Sequence, residues 1–203
     1  SVGLSNAAIA QPIANTTDTY TLTVTKTSNG CTSSDAVLVT ADTTRPGANA
    51  GSDVTLTCIN STLQIGSVAV AGNTYAWSPA LGLSNASIAQ PTVNANGNYT
   101  LTVTKLVNGC TSTDAVLVSM DTLKPNVQVS SSPICAGQTA TLTASGADSY
   151  NWPTLGGNGN PKTTPILNTN TIYNVTGTKT SNGCTKTVSH TVVVNAIPTT
   201  PTI

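Results

Sequence analysis

Apolar and polar residues alternate strictly along YTLTVTK at Tyr20–Lys26, and the same string recurs at Tyr99–Lys105. A period of two sends successive side chains to opposite faces of a strand, so the pattern predicts half-buried β-strands. Each string continues through an Asn-Gly turn into a second alternating run. The whole reads YTLTVTK–TSNG–CTSSDAVLV at Tyr20–Val39 and YTLTVTK–LVNG–CTSTDAVLV at Tyr99–Val118. A more divergent third copy, YNVTGTK–TSNG–CTKTVSHTV, spans Tyr173–Val192. Asn-Gly predicts a two-residue type I′ turn, which needs positive φ at both positions. That register sets Val107 against Cys110 and Leu101 against Val116. Tyr99, Leu101, Val103, Val116 and Val118 then share a core face, and Thr100, Thr102 and Thr104 the other. In the third copy Gly177 stands where Val103 does, and His190 replaces Val116, opposite Val175. The imidazole is expected to fill the space that Gly177 leaves.

The repeat extends beyond the hairpin. Residues 2–46 match residues 81–125 at a constant offset of 79, with LSNAAIAQP at Leu4–Pro12 mirrored by LSNASIAQP at Leu83–Pro91. The expected organisation is the C-terminal half of a truncated module at 1–44, complete modules at 45–124 and 125–196, and the start of a further linker at 197–203. Within the second module, strands are predicted at Asp53–Cys58, Ser61–Ser67, Thr74–Ser78 and Ser87–Asn94, ahead of the hairpin Tyr99–Lys105 with Asp114–Met120. Short strands at this spacing, broken by Gly, Asn and Pro, argue for an antiparallel β-sandwich. The fold class is therefore all-β, with tandem sandwich modules arranged as a rod.

Composition narrows the function classes. The 203 residues carry 7% charged and 3% aromatic side chains, and Lys plus Arg balances Asp, with no Glu. A neutral chain offers no long-range attraction for nucleic acid or anionic membrane. No apolar run reaches the ~18 residues of a membrane span. No Ser/His/Asp set, nucleophile elbow or phosphate loop is present, so no catalytic residues are assigned and no enzyme activity is expected. Five Cys in a Thr-rich chain point to an oxidising, extracytoplasmic compartment. A zinc site is not expected, because there is no CxxC pair and His190 is the only His.

At these residues the chain resembles the immunoglobulin-like and PKD-like tandem repeats of large Bacteroidota surface adhesins. These include gliding-motility-type proteins exported by the type IX system. The carrying motifs are Cys135–Gly137 ahead of a strand, Y-x-W at Tyr75–Trp77 and Tyr150–Trp152, and the YTLTVTK…NGCT hairpin. The third module departs by carrying Gly156-Gly157-Asn158-Gly159-Asn160 in place of LSNxxIAQP. The resemblance implies an extracellular array at the cell surface that holds other domains away from the cell.

Two cysteine pairings fit the count. One closes each module, with Cys58 to Cys110 and Cys135 to Cys184, leaving Cys31 with a partner outside the chain. Strand length argues against it. The two Cys of a module lie at opposite ends of a strand that spans ~23 Å at ~3.3 Å per residue, whereas a disulfide needs Cα atoms within ~7 Å. The other pairing joins neighbouring modules through Cys58 and Cys184, and is favoured on that ground.

The remaining signals are weaker. Asp42-Thr43-Thr44 and Asp121-Thr122-Leu123 fit a bacterial O-glycosylation pattern, making Thr43 and Thr122 candidate sites. The N-x-S/T sequons at Asn15, Asn60, Asn85, Asn98 and Asn174 arise readily in an Asn- and Thr-rich chain. Trp77 and Trp152, in the third strand of a sandwich, are expected in the core and not as sugar-stacking platforms. Asp35 and Asp114 lack the loop that a calcium site requires, so no metal or other cofactor is expected. Lys26, Lys105 and Lys179 end equivalent strands and read as surface residues. The expected function is a non-enzymatic structural repeat region of an extracellular adhesin or surface filament, acting as a disulfide-stiffened stalk. Its partners would be neighbouring modules and laterally associated copies, which a charge-poor strand edge does little to discourage. The alternative is a carbohydrate- or protein-binding accessory module of a secreted bacterial enzyme.

Overall fold

The structure, a computed structural model, describes residues 3–198. The end of the expected linker at 197–203 and the first two residues of the half-module at 1–44 lie outside the described residues. The chain forms two compact units. One comprises the described residues through Gly47 together with Val70–Thr74 and Val103–Ser112; the other comprises Ala48–Ala69, Tyr75–Thr102 and the described residues from Thr113 onward.

Among the described residues every regular element is a strand. The first repeat supplies β1 (Asp18–Thr25) and β2 (Thr32–Val39). They form an antiparallel two-stranded sheet from Asp18↔Val39 to Thr25↔Thr32, and Leu4 bridges Ala14 beside them. The second repeat supplies β3 (Val54–Thr57), β4 (Leu63–Gln64), β5 (Asn73–Ser78), β6 (Thr92–Val93), β7 (Gly97–Lys105) and β8 (Thr111–Asp121). One sheet runs β3-β8-β7-β5, and β4 pairs with β6 in the other. Ala50, Leu56, Ile65, Trp77, Val93, Tyr99, Leu101, Val116 and Val118 are buried. Those on β7 and β8 are the core-face residues that the alternating pattern picks out. Tyr99 closes a corner, its hydroxyl donating to Leu81 O at 2.9 Å and Ala95 O at 3.1 Å.

The third repeat supplies β9 (Gln128–Ser130), β10 (Ile134–Cys135), β11 (Thr141–Ser145), β12 (Ser149–Trp152), β13 (Gly157–Asn158), β14 (Lys162–Thr163), β15 (Thr171–Lys179), β16 (Cys184–Val192) and β17 (Val194–Asn195). Sheets β14-β11-β9 and β13-β12-β15-β16 enclose a core of Val127, Leu142, Ala144, Trp152, Tyr173, Val175 and Val192. The sheets are mostly antiparallel. The exceptions are β3 against β8 (Val54↔Val118) and β10 against β17 (Ile134↔Val194), both parallel.

The hairpin register differs from the expected one by two residues. Lys105 N–H donates to Cys110 O at 2.9 Å, and Gly109 N–H returns to Lys105 O at 2.8 Å, so four residues form the loop. No described non-glycine residue has positive φ, while Gly109 sits at +70°. A type I′ turn would need Asn108 at positive φ as well. Asn108 instead keeps negative φ and accepts the Cys110 N–H on Oδ1 at 3.0 Å, a local bond that competes with the tighter turn. A shift of two residues leaves every side chain on its face, which is why the core set is unchanged. In the third copy the same shift sets His190 against Tyr173 and Val175 against Val188. His190 Nε2 lies 2.9 Å from Ser131 Oγ. The room at Gly177 goes to Val127 and Ala147, not to the imidazole.

Candidate functional site: the linker clamp at the Asn-Gly-Cys turns

The same turn recurs at Asn29, Asn108 and Asn182, and each Asn Oδ1 accepts the N–H of the Cys two residues on, at 3.0–3.1 Å. With Oδ1 occupied, the amide Nδ2 points out of the turn as a donor. At Asn108 it donates to Thr44 O at 3.0 Å. At Asn182 it donates to Leu123 O at 3.0 Å and to Asp121 Oδ1 at 2.8 Å. Thr44 and Leu123 occupy equivalent places in the two linkers, so the turn of one repeat grips the linker that leads into it.

A charge pair accompanies each grip. Lys105 Nζ meets Asp42 Oδ2 at 3.1 Å, and Lys179 Nζ meets Asp121 Oδ2 at 3.5 Å. Each Asp also folds its own linker, Asp42 Oδ1 accepting Thr44 N–H at 2.9 Å and Asp121 Oδ1 accepting Leu123 N–H at 3.2 Å. The Thr44 N–H and hydroxyl, with Lys105 beside them, hold the Asp42 carboxyl well below the usual carboxylate range. The Asn182 amide, then the Leu123 N–H and Lys179, lower that of Asp121. Exposed pairs of this kind are screened by solvent and contribute little singly. Their value here is geometric, because they orient the linker.

The second clamp carries a covalent bond. Cys58 is joined to Cys184, with Cα atoms 5.0 Å apart across 126 residues of sequence. Cys58 N–H also donates to Asn182 O at 3.1 Å, and Ile59 packs onto Gly183, where any β-carbon would collide with it. Asn182 and Cys184 are thereby buried. The alternative pairing, Cys58 with Cys110 and Cys135 with Cys184, is not formed: one bond takes Cys58 and Cys184 together, and Cys31, Cys110 and Cys135 are free thiols. At the first clamp Cys110 is only half-buried, and nothing stands over Gly109.

The other candidates fall outside this cluster. Trp77 and Trp152 are 5% and 0% exposed and present no stacking face. Trp77 Nε1 donates to Ile88 O at 2.9 Å, whereas Trp152 Nε1 has no partner. Asp114 Oδ2 accepts Ala50 N–H at 2.8 Å, tying the segment ahead of β3 to β8. Among the described residues no group of three or more His, Cys or Asp side chains is placed to hold a metal. Thr43 and Thr122 are exposed. The clamp itself was not anticipated from sequence. The signal was present, since Asp42, Lys105 and Asn108 recur as Asp121, Lys179 and Asn182.

No family model matches the chain, and no curated protein matches it. Among solved structures it is similar to fibronectin(III)-like modules of Clostridium thermocellum CbhA, at 16% identity and a TM-score of 0.31, over 73% of this chain and 91% of that one. It is similar also to titin domains z1z2 in complex with telethonin, at 17% identity and a TM-score of 0.28, over 79% of this chain and 100% of that one. A Dscam structure concerned with isoform specificity matches at 10% identity and a TM-score of 0.30 over 87% of this chain. The chain spans about half of that protein's length, 54%. At such TM-scores these likenesses carry no argument. The class, an all-β immunoglobulin-like sandwich, rests on the strand order and buried faces above. Its disulfide is of the kind that persists in extracellular or secreted domains.

Proposed function

We propose that the chain is a non-enzymatic structural repeat region of an extracellular adhesin or surface filament, a stalk whose joints are clamped at the Asn-Gly-Cys turns. The observation that carries this reading is the recurrence of one linker grip at two places, Asp42–Lys105–Asn108 and Asp121–Lys179–Asn182, in the second case with a disulfide. A device spent on linkers, repeated with the module, serves the spacing of modules. This reading keeps modules at 1–44, 45–124 and 125–196, with a grip near each of the two boundaries between them. The alternative, a carbohydrate-binding module, loses its best candidates with the burial of both Trp side chains.

Small-angle scattering of the oxidised protein, compared with a Cys58→Ser/Cys184→Ser variant, tests the stalk. The maximum dimension should be sharply defined when the bond is present and should broaden without it. Identical profiles, or saturable glycan binding, would sink the reading. Thr43 and Thr122, exposed beside the gripped Asp residues, are proposed O-glycosylation sites; an intact mass that does not fall on chemical deglycosylation removes them.

A further inference from the structure

The turn of the second repeat departs from its fellows. Thr27-Ser28 and Thr180-Ser181 stand ahead of Asn-Gly in the first and third repeats, and Leu106-Val107 in the second. Both aliphatic side chains are exposed, at 66% and 77%. The exposure belongs to the position, because Thr180 and Ser181 are exposed as well although the third repeat's clamp is closed over Gly183. Apolar side chains held in water at a turn do nothing for the fold, and a cluster of them marks a contact surface. Val70, also exposed, joins them. The loop that carries it meets the turn, where Leu106 N–H donates to Gly72 O at 2.8 Å.

These residues wall an open hollow of about 630 Å³, lined by Arg45, Pro46, Val70, Lys105, Leu106 and Val107, all within one compact unit. Its size is that of an ordinary small-molecule site. Arg45 is the only Arg of the chain and stands where the next linker has Lys124. Among the described residues no carboxylate pairs with it. Lys105 is paired with Asp42, so the surplus at the hollow is one positive charge. The equivalent spot in the third repeat has the opposite sign. There Asp148 Oδ2 accepts the N–H and hydroxyl of Thr180 at 2.8 Å and 3.0 Å, in the place where Gly72 O accepts the Leu106 N–H.

We propose that this hollow is a binding site for a free aliphatic monocarboxylate of the fatty-acid type. The Arg45 guanidinium takes the carboxylate through two parallel N–H···O bonds, the geometry its planar fork is suited to. The hydrocarbon body lies over Val70, Leu106 and Val107, so ligand and protein remove apolar surface from water together. One surplus positive charge beside an apolar wall matches one carboxylate on a hydrocarbon chain and disfavours an amine of the same length. The third repeat, with Thr180, Ser181 and Asp148 in these places, does not form such a site. The inference rests on how the second repeat differs from the third and not on the stalk reading, so either can fail alone.

The test titrates octanoate into the intact, isotope-labelled protein and follows its amide resonances. Shifts should saturate and centre on Arg45, Val70, Gly72, Leu106 and Val107, with Thr180 and Ser181 unmoved. Octylamine, of equal chain length and opposite charge, should produce no saturable shift there. Leu106→Thr/Val107→Ser gives the second repeat the turn with which the other two fold, and should weaken octanoate binding at least tenfold. Arg45→Gln should do the same, whereas Lys124→Gln, at the equivalent place in the next linker, should leave binding unchanged. Absence of a saturable shift, equal binding of octylamine, or indifference to Arg45→Gln or to Leu106→Thr/Val107→Ser overturns the proposal. So does self-association of the protein alone that Leu106→Thr/Val107→Ser abolishes, which would make a second copy the occupant.

Discussion

The turn asparagine does two jobs with one amide. Its Oδ1 caps the following Cys N–H, and its Nδ2 reaches a linker carbonyl. At Asn182 both ends are satisfied and the residue is 1% exposed. Removing that amide leaves the buried Cys184 N–H unpaired, at about 1–3 kcal/mol. Asn182→Ala should therefore lower stability by that amount in urea unfolding, and Asn108→Ala, at the half-buried joint, by less. Protonation acts on the same atoms. In the unfolded chain Asp121 takes up its proton near the ordinary 3.8, and in the folded chain at a lower pH because Asn182, Leu123 and Lys179 favour the carboxylate. The unfolded state thus binds more protons, so the contribution is complete above about pH 5 and fades as pH falls through the folded value. Thermal melts should show Asp121→Asn losing less stability than the parent between pH 5 and pH 3.

At the scale of elements, the two hairpins of nearly identical sequence differ only in what covers them. Leu101→Ala should cost about 2–5 kcal/mol, as expected for a large side chain cut from a packed core. Leu22→Ala should cost well under about 1 kcal/mol, as a surface change does. Equal losses would mean that β1 is covered too. The strands, and the face each side chain takes, were legible because alternation in YTLTVTK depends only on the pleat. The register was not, since it turned on a local contest between a type I′ turn and a side-chain bond that Asn-Gly permits equally. The parallel pairing of β3 with β8 was also hidden, because alternation carries no strand direction. The clamp escaped notice for another reason. Its Lys, Asn and Asp are individually ordinary surface residues, informative only as a set recurring in two linkers.

For the molecule as a whole, the disulfide is the largest single constraint. Closing 126 residues removes enough freedom from the unfolded chain to stabilise by about 2–5 kcal/mol. Reduction, or Cys184→Ser, should lower the urea midpoint accordingly while leaving the strand content seen by circular dichroism intact. A larger loss of strand signal would mean that the sandwiches depend on the bond. The bond was legible from strand length, which kept Cys58 and Cys110 apart, and the three free thiols follow from the same topology.

The bond also decides how the chain would respond to being pulled by its ends. Tension transmitted along the backbone enters at Cys58 and leaves at Cys184 without passing through the residues between. A segment of 126 residues, extensible to roughly 430 Å at about 3.4 Å per residue, is thereby withheld from the stretch. In single-molecule extension the oxidised chain should lengthen by that much less than the reduced one. The second sandwich's hairpin and most of the third sandwich lie inside the shielded loop, whereas β1 and β2 lie outside it and take the load directly.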